Sequence, residues 1–194
     1  MRALVIDIGT SGLRAAVVND DASVTDLHHE EFAPQSPAGG LVEFDAAAMY
    51  DAVLRVSSAA MNGRPVDCVG ITNQRASAIG WRRSTGMPIG PAIGWQDLRT
   101  VGECMMARAE HGLALAPNQT ATKIAWLLTN HVADPVARAD DDILFGTVET
   151  RITPAAAAAP PFRRSERRLT EFIVVSCFLS LPGLTAPPPR RGTA

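Results

Sequence analysis

The chain has 194 residues, 46% of them hydrophobic and 20% charged, and carries a net charge of −2. That suffices for one ordinary domain with an appendage and excludes a disordered or fibrous chain; a membrane-spanning helix would need an apolar run of about 20 residues, which is missing. Three scattered cysteines, Cys68, Cys104 and Cys177, make neither a disulfide framework nor a CxxC site, and the four histidines lack metal-ligand spacing, so a reduced, cytoplasmic protein is expected.

The opening stretch Arg2–Val18 reads RALVIDIGTSGLRAAVV. Its apolar runs, Ala3–Ile8 and Leu13–Val18, flank the polar turn Gly9-Thr10-Ser11-Gly12, which predicts a β-hairpin. The first run is short and holds Asp7, unlike a signal peptide. Two glycines let backbone approach a ligand, and turn amides with two hydroxyls can donate to phosphate oxygens. Asp7 is suited to a metal-bound water, since Mg²⁺ prefers one or two carboxylates plus water and phosphate oxygens. Arg14 is suited to neutralising a transferring phosphoryl group. A plain glycine-turn hairpin without a ligand is the alternative, and it stays open on these residues alone.

Further along, Ala22–Phe32 alternates as a third antiparallel strand, reached through Asn19-Asp20-Asp21. After the loop 33–40, Asp45 is placed to cap a helix over Ala46–Met61 with Met49, Val53, Leu54 and Val56 on its apolar face. Val66–Thr72 is a short buried strand, followed by the polar loop Asn73-Gln74-Arg75 and a segment Ala76–Trp81. Ser84-Thr85-Gly86 is a turn and Pro91–Trp95 another short strand. Arg99–Glu110 predicts a helix stopped by His111-Gly112. Ala121–Asn130 predicts one that buries Ile124, Ala125, Leu127 and Leu128. Ala133–Ala139 reads as a helical turn and Ile143–Phe145 as a last strand. The pattern is α/β with a mixed sheet.

Charge divides the chain. Residues 1–150 hold eleven basic against eighteen acidic side chains, net −7, whereas residues 151–194 hold seven arginines against Glu166 and Glu171, net +5. Seven of the fourteen prolines fall in that last stretch, which sets a boundary at 150 between a domain and a Pro/Ala/Arg-rich tail.

Several stretches resemble the FGGY family of carbohydrate kinases, its glycerol-kinase branch most closely. Asp7–Arg14 is similar to the family's phosphate loop DxGTxxxR, and Gly40–Asp45 (GLVEFD) to its GWVEHD. Gly70–Arg75 matches GITNQR in full. Thr85–Ile89, Ala92–Thr100, Thr122–Leu128 and Leu144–Thr150 resemble TGKPI, AIVWQDxRT, TKxxWIL and LFGTxDT, all in family order. The resemblance implies an actin-like, ribonuclease-H-like lobe, the first of two that close on ATP-Mg²⁺ and a sugar or polyol. It implies that Asp7 helps hold the metal through water and that Thr10, Ser11, Gly12 and Arg14 line the phosphates. Gln74, Arg75, Trp95 and Asn118 then line the substrate. An Arg fork suits hydroxyl oxygens and a Trp face suits a carbon chain. Trp81 is expected to be core, and Asp45, Asp97 and Glu149 capping or ion-pairing groups.

Two departures bear on specificity. The glycerol-phosphorylating members carry Glu where this chain has Ala76, and an aromatic Tyr where it has Asn118. Losing hydroxyl partners changes discrimination by orders of magnitude, which points to another polyol, a ketose or an aldose. A third departure concerns catalysis. The family's TDxTNAS-like motif, with the Asp that acts as base, does not follow Glu149-Thr150; Arg151-Ile152-Thr153-Pro154 and alanines do. No catalytic residue is assigned, and residues 151–194 are expected to be a poorly ordered tail, replaced or out of frame.

The expected function is the first lobe of an ATP-dependent kinase, inactive by itself. The alternative is a non-catalytic sugar- or polyol-binding module, or half of a split kinase that pairs with a separate second lobe or with itself. An exposed lobe face predicts marginal folding and association. Nucleic acid is not an expected partner, because Arg163, Arg164, Arg167 and Arg168 lack interleaved aromatics. Neither is a membrane, since the apolar decamer Phe172–Leu181 is too short to span one.

Overall fold

The computed structural model describes residues 1–132 and 142–148. The expectations for Ala133–Ala139, for Glu149 and for the tail from 151 lie outside the described residues. In chain order the elements are β1 (Arg2–Ile8), β2 (Gly12–Asn19), β3 (Val24–Glu31), β4 (Glu43–Phe44), α1 (Ala46–Met61) and β5 (Cys68–Asn73). There follow β6 (Ile79–Arg82), β7 (Ala92–Ile93), α2 (Val101–His111), α3 (Thr120–His131) and β8 (Ile143–Gly146).

The main sheet has the order β3-β2-β1-β5. β1 pairs antiparallel with β2, Asp7 opposite Arg14, and parallel with β5, Asp7 opposite Thr72. The predicted hairpin, third strand and mixed sheet are therefore present. Alternation along β1 sends Leu4, Ile6 and Ile8 to one face, where they pack with Leu13, Ala15 and Val17 of β2 against α1. Asp7 and Arg14 emerge on the face turned away from that helix.

Helix α1 starts where the sequence places it. The Asp45 carboxylate accepts from the amides of Ala47 and Ala48 at 2.8 and 3.0 Å, satisfying two donors that the first turn leaves free. Met49, Ala52, Val53, Val56 and Ala60 are buried beneath it. Leu54 is not: it is 48% exposed, a correction to the expected apolar face. Its neighbour Val53 already occupies the inward position, and the helical rotation of about 100° per residue carries Leu54 outward.

Two separate two-stranded pairs, β4–β7 and β6–β8, complete the described sheet structure and contribute Phe44, Trp81 and Ala92 to the same core. Trp81 on β6 is 4% exposed and belongs to the core, as expected. Helix α2 begins two residues later than predicted, because Arg99 is drawn into an ion pair instead of a helical turn. It ends at Gly112, whose φ of 67° places it in the left-handed region that terminates a helix. Only Cys104 of α2 is buried, leaving Val101, Met105 and Met106 exposed.

Helix α3 departs most from expectation. Ala125 is exposed, Ile124 and Leu128 are half-buried, and the fully buried positions are Thr122, Lys123 and Leu127. Apolar spacing alone set the face one residue off, since the inward side of the helix is partly polar. Thr122 is held there by a 2.9 Å hydroxyl–hydroxyl hydrogen bond to Thr100. Among the described residues no helix is long and apolar enough to cross a membrane.

Candidate functional site

The carboxyl ends of β1 and β5 lie side by side, and ends of parallel strands are where α/β sheets open toward a ligand. Between β1 and β2 the chain turns through Gly9–Ser11. The Gly9 amide donates to the Gly12 carbonyl at 2.9 Å, closing the turn, while among the described residues no partner takes the amides of Thr10 and Ser11. Those donors, with the Thr10 and Ser11 hydroxyls, are available to an anion. Arg14 donates to the Asp7 carboxylate at 3.3 Å, both side chains being substantially exposed. Such an open pair is worth about 0–1 kcal/mol, so little holds either group back from a ligand.

Gly12 lies close against β3. A Cβ there would meet His29 Nε2 at 2.6 Å and the Glu30 carbonyl at 3.1 Å, both on β3. A side chain here would turn the exposed His29 imidazole aside and crowd the Glu30 carbonyl by a few tenths of an ångström.

Two of the residues expected to line a substrate reach this turn. Trp95, 39% exposed, donates its indole Nε1–H to Thr10 Oγ1 at 3.2 Å. Gln74 donates its amide to the Ile8 carbonyl at 3.0 Å, which ties the loop after β5 to the end of β1. Arg75, next in sequence, is exposed. Asn118 is also exposed and sits before α3; no hydrogen bond among the described residues joins its side chain, or that of Arg75, to the turn.

What connects Arg75's loop to Asn118 is Lys123. Its Nζ donates to the Ala76 carbonyl at 2.9 Å and lies 3.4 Å from the Asn118 carbonyl, which it also reaches. Its side chain is fully buried, and burial pushes its pKa down from 10.5 to about 8. Ala76 has a φ of 66°, in the left-handed region that a residue with a Cβ seldom adopts. Sequence reasoning placed Lys123 in the stretch that resembles TKxxWIL but gave it no role, since the expected buried face was read from apolar spacing. It is also the chain's single lysine among seventeen arginines.

Behind Trp95 stands a second polar frame. The Asp97 carboxylate, fully buried, accepts from the Val42 amide at 2.6 Å, the Arg99 amide at 2.9 Å and the Arg99 guanidinium at 2.8 Å. Arg99 also donates to Glu43 at 2.7 Å, and its guanidinium lies 4.3 Å from the Trp126 ring centre. Burial alone would raise the Asp97 carboxyl; the Arg99 guanidinium and the Val42 and Arg99 amides outweigh it and hold the group below its ordinary value. Asp97 is thus a structural ion-pairing group, as the sequence suggested, while Asp45 acts as a helix cap.

Asp7 is the one carboxylate at the turn; among the described residues no cluster of three or more His, Cys, Asp or Glu side chains forms. A lone, exposed carboxylate beside free amides and hydroxyls fits a Mg²⁺–polyphosphate group, in which phosphate and water supply most metal ligands. An open groove of about 490 Å³ lies apart from these residues, between the start of α1 and Met87–Pro91, and none of the candidate site residues lines it.

Comparison with known proteins fits this geometry. The N-terminal domain of the FGGY family of carbohydrate kinases matches residues 2–153. The chain is 41% identical over 162 residues to a glycerol kinase of Rhodospirillum centenum, covering 76% of this chain and 32% of that protein. A glycerol kinase of Sinorhizobium fredii is 35% identical over 161 residues, with the same coverage of 76% and 32%. Among solved structures, Plasmodium falciparum glycerol kinase with ADP superposes with a TM-score of 0.70 at 22% identity, over 78% of this chain and 33% of that one. Xylulose kinase from Rhodospirillum rubrum gives 0.64 at 20% identity, over 78% and 33%. These two share the fold, the actin-like α/β lobe expected from the sequence. The chain spans about a third of the length of the relatives it matches. With most of its length matched by that one domain, the chain belongs to the FGGY family of carbohydrate kinases.

Proposed function

We propose that this chain is the phosphate-binding and substrate-lining lobe of an ATP-dependent sugar or polyol kinase of the cytoplasm. The observation that carries this reading is the Trp95–Thr10 hydrogen bond, which sets a flat apolar wall against the edge of the anion-binding turn. A carbon chain lying on Trp95 would place a hydroxyl beside a phosphate held by Thr10, Ser11, the Gly12 backbone and Arg14. Mg²⁺, when bound with ATP, supplies charge neutralisation to the phosphates, and Asp7 would hold it through water. Gln74 and Arg75 would donate to substrate hydroxyls from one side and Asn118 from the other.

Ala76 offers no side-chain acceptor, so a ketose, an aldose or a longer polyol is favoured over glycerol. Phosphoryl transfer depends on positioning and electrostatics inside a closed cleft. A second lobe, covalently continuous, separately encoded or from a second copy, would complete that cleft and bring the general base. The 194-residue chain alone is therefore expected to bind without turnover.

The test is a fluorescence titration of the purified chain with glycerol, D-xylulose, D-gluconate and MgATP, alongside an ATP-consumption assay. Saturable quenching by a sugar or polyol, lost on Trp95→Phe or Arg75→Ala, supports the reading. So does MgATP binding lost on Asp7→Ala with Arg14→Ala. A folded chain that binds none of the four sinks it.

A further inference from the structure

We propose that Lys123 is a positioning residue that sets the spacing of the two substrate-lining loops, by holding the Ala76 and Asn118 carbonyls on one ammonium group. This rests on the substrate site proposed above. The two carbonyls are 42 positions apart in sequence and belong to loops that share no strand; Ala76 follows Arg75 and Asn118 precedes α3. One buried Nζ reaches both, at 2.9 and 3.4 Å.

Three observations argue that the contact does more than fill space. First, a fully buried ammonium is costly unless its donors are used, and backbone carbonyls are weaker partners than the carboxylate a purely stabilising lysine would take. Second, Ala76, whose carbonyl accepts from this ammonium, sits at φ 66°, a strained conformation immediately after Arg75. Third, every other side-chain cation in the chain is an arginine. A planar guanidinium presents its donors in a fixed fork, whereas an ammonium is a compact point donor that two converging carbonyls can share. Neither loop has another described side-chain hydrogen bond to the opposite loop; beside the apolar packing of Ala78 with Leu127 and Ile124, this ammonium is the polar link between them.

The single lysine makes the test unambiguous. Amide hydrogen exchange of the full chain would be compared with that of Lys123→Met, which keeps length and loses every donor. The reporters are the hydrogen-bonded amides of Gln74, Ala78 and Gln119, which flank the two carbonyls, with the β1–β2 amides as control. Loss of charge-assisted bonds predicts exchange faster by about tenfold or more at the three reporters, with the control within about twofold. Saturating D-xylulose or glycerol should slow the reporters in the parent chain and leave the variant unaffected. Unchanged reporters, or reporters and control accelerating together, would overturn the proposal in favour of a lysine that only stabilises the core.

Should the Met variant fail to fold, ¹⁵N labelling of lysine and arginine in the parent chain gives one Nζ resonance beside the arginine Nε signals. It is expected to shift on addition of whichever probe shifts the Arg75 Nε resonance, and a stationary Nζ signal overturns the proposal. If neither probe protects or shifts anything in the parent chain, the sugar or polyol reading fails, while reporter loosening in the variant still decides whether Lys123 couples the loops.

Discussion

Trp95 and Thr10, separated by 85 positions, meet through an indole–hydroxyl hydrogen bond of 3.2 Å at the mouth of the β1–β2 turn. Replacing the indole with a benzyl ring keeps an apolar wall and removes the donor. Because both groups are reachable by water, Trp95→Phe is expected to cost less than about 1 kcal/mol in urea denaturation. Ligand-dependent quenching should nevertheless disappear, since Trp81 is buried in the core and Trp126 lies under Arg99.

The Asp97–Arg99 frame is a different matter. Asp97 accepts four hydrogen bonds with no solvent exposure, so Asp97→Asn is expected to lower stability by about 3 kcal/mol, read from the denaturation midpoint. The pH dependence has a definite sign. The carboxyl is held below its ordinary value of 3.8, so its contribution is complete above about pH 4 and is lost as pH falls through the lowered value. The Asn variant should show a flatter acid limb than the parent.

Lys123 gives a slope of the same sign, stability rising with pH, but in the alkaline range. Its pKa falls from 10.5 unfolded to about 8 folded, so below pH 8 the folded state carries the full penalty of a buried charge. Between about pH 8 and 10.5 the folded chain binds fewer protons than the unfolded one, and stability should rise, by about 3 kcal/mol at most. Subtracting the curve for Lys123→Met isolates this slope from tyrosine and cysteine titration. A difference curve that is flat, or that falls with pH, contradicts the burial argument.

Two local substitutions test the backbone. Asp45→Ala removes the cap of α1 and is expected to cost about 1 kcal/mol, seen as an earlier melt by circular dichroism. Ala76→Gly should stabilise by about 0.5–1 kcal/mol, because glycine accepts a φ of 66° without the clash of a Cβ.

The sequence showed the hairpin, the capped α1 and the Gly112 stop because each is encoded within a few residues of itself. Asp45 and its two amides are neighbours, and the β1–β2 turn joins adjacent runs. The residues of the β1–β2 turn were visible for the same reason. Lys123 was not, because nothing near it in sequence says that two distant carbonyls converge on it. The same holds for the outward Leu54 and for Thr122, whose burial depends on Thr100 in another segment. Glycine at position 12 was legible as a letter, but its closeness to His29 and Glu30 across the sheet was not.

The strand order β3-β2-β1-β5 leaves the sheet with two unlike borders. β3 closes one side: it carries Asp26, His28, His29, Glu30 and Glu31, and Asp26 bends its path with a φ of 54°. Charges and a kink of that kind repel an incoming strand. β5, Cys68–Asn73, carries no ionisable side chain except the Cys68 thiol, and among the described residues it pairs only with β1. Any further strand, from the same polypeptide or another, therefore has one border on which to add, and it is the border that leads to Gln74 and Arg75. Growth of the sheet and completion of the site would then proceed from the same edge.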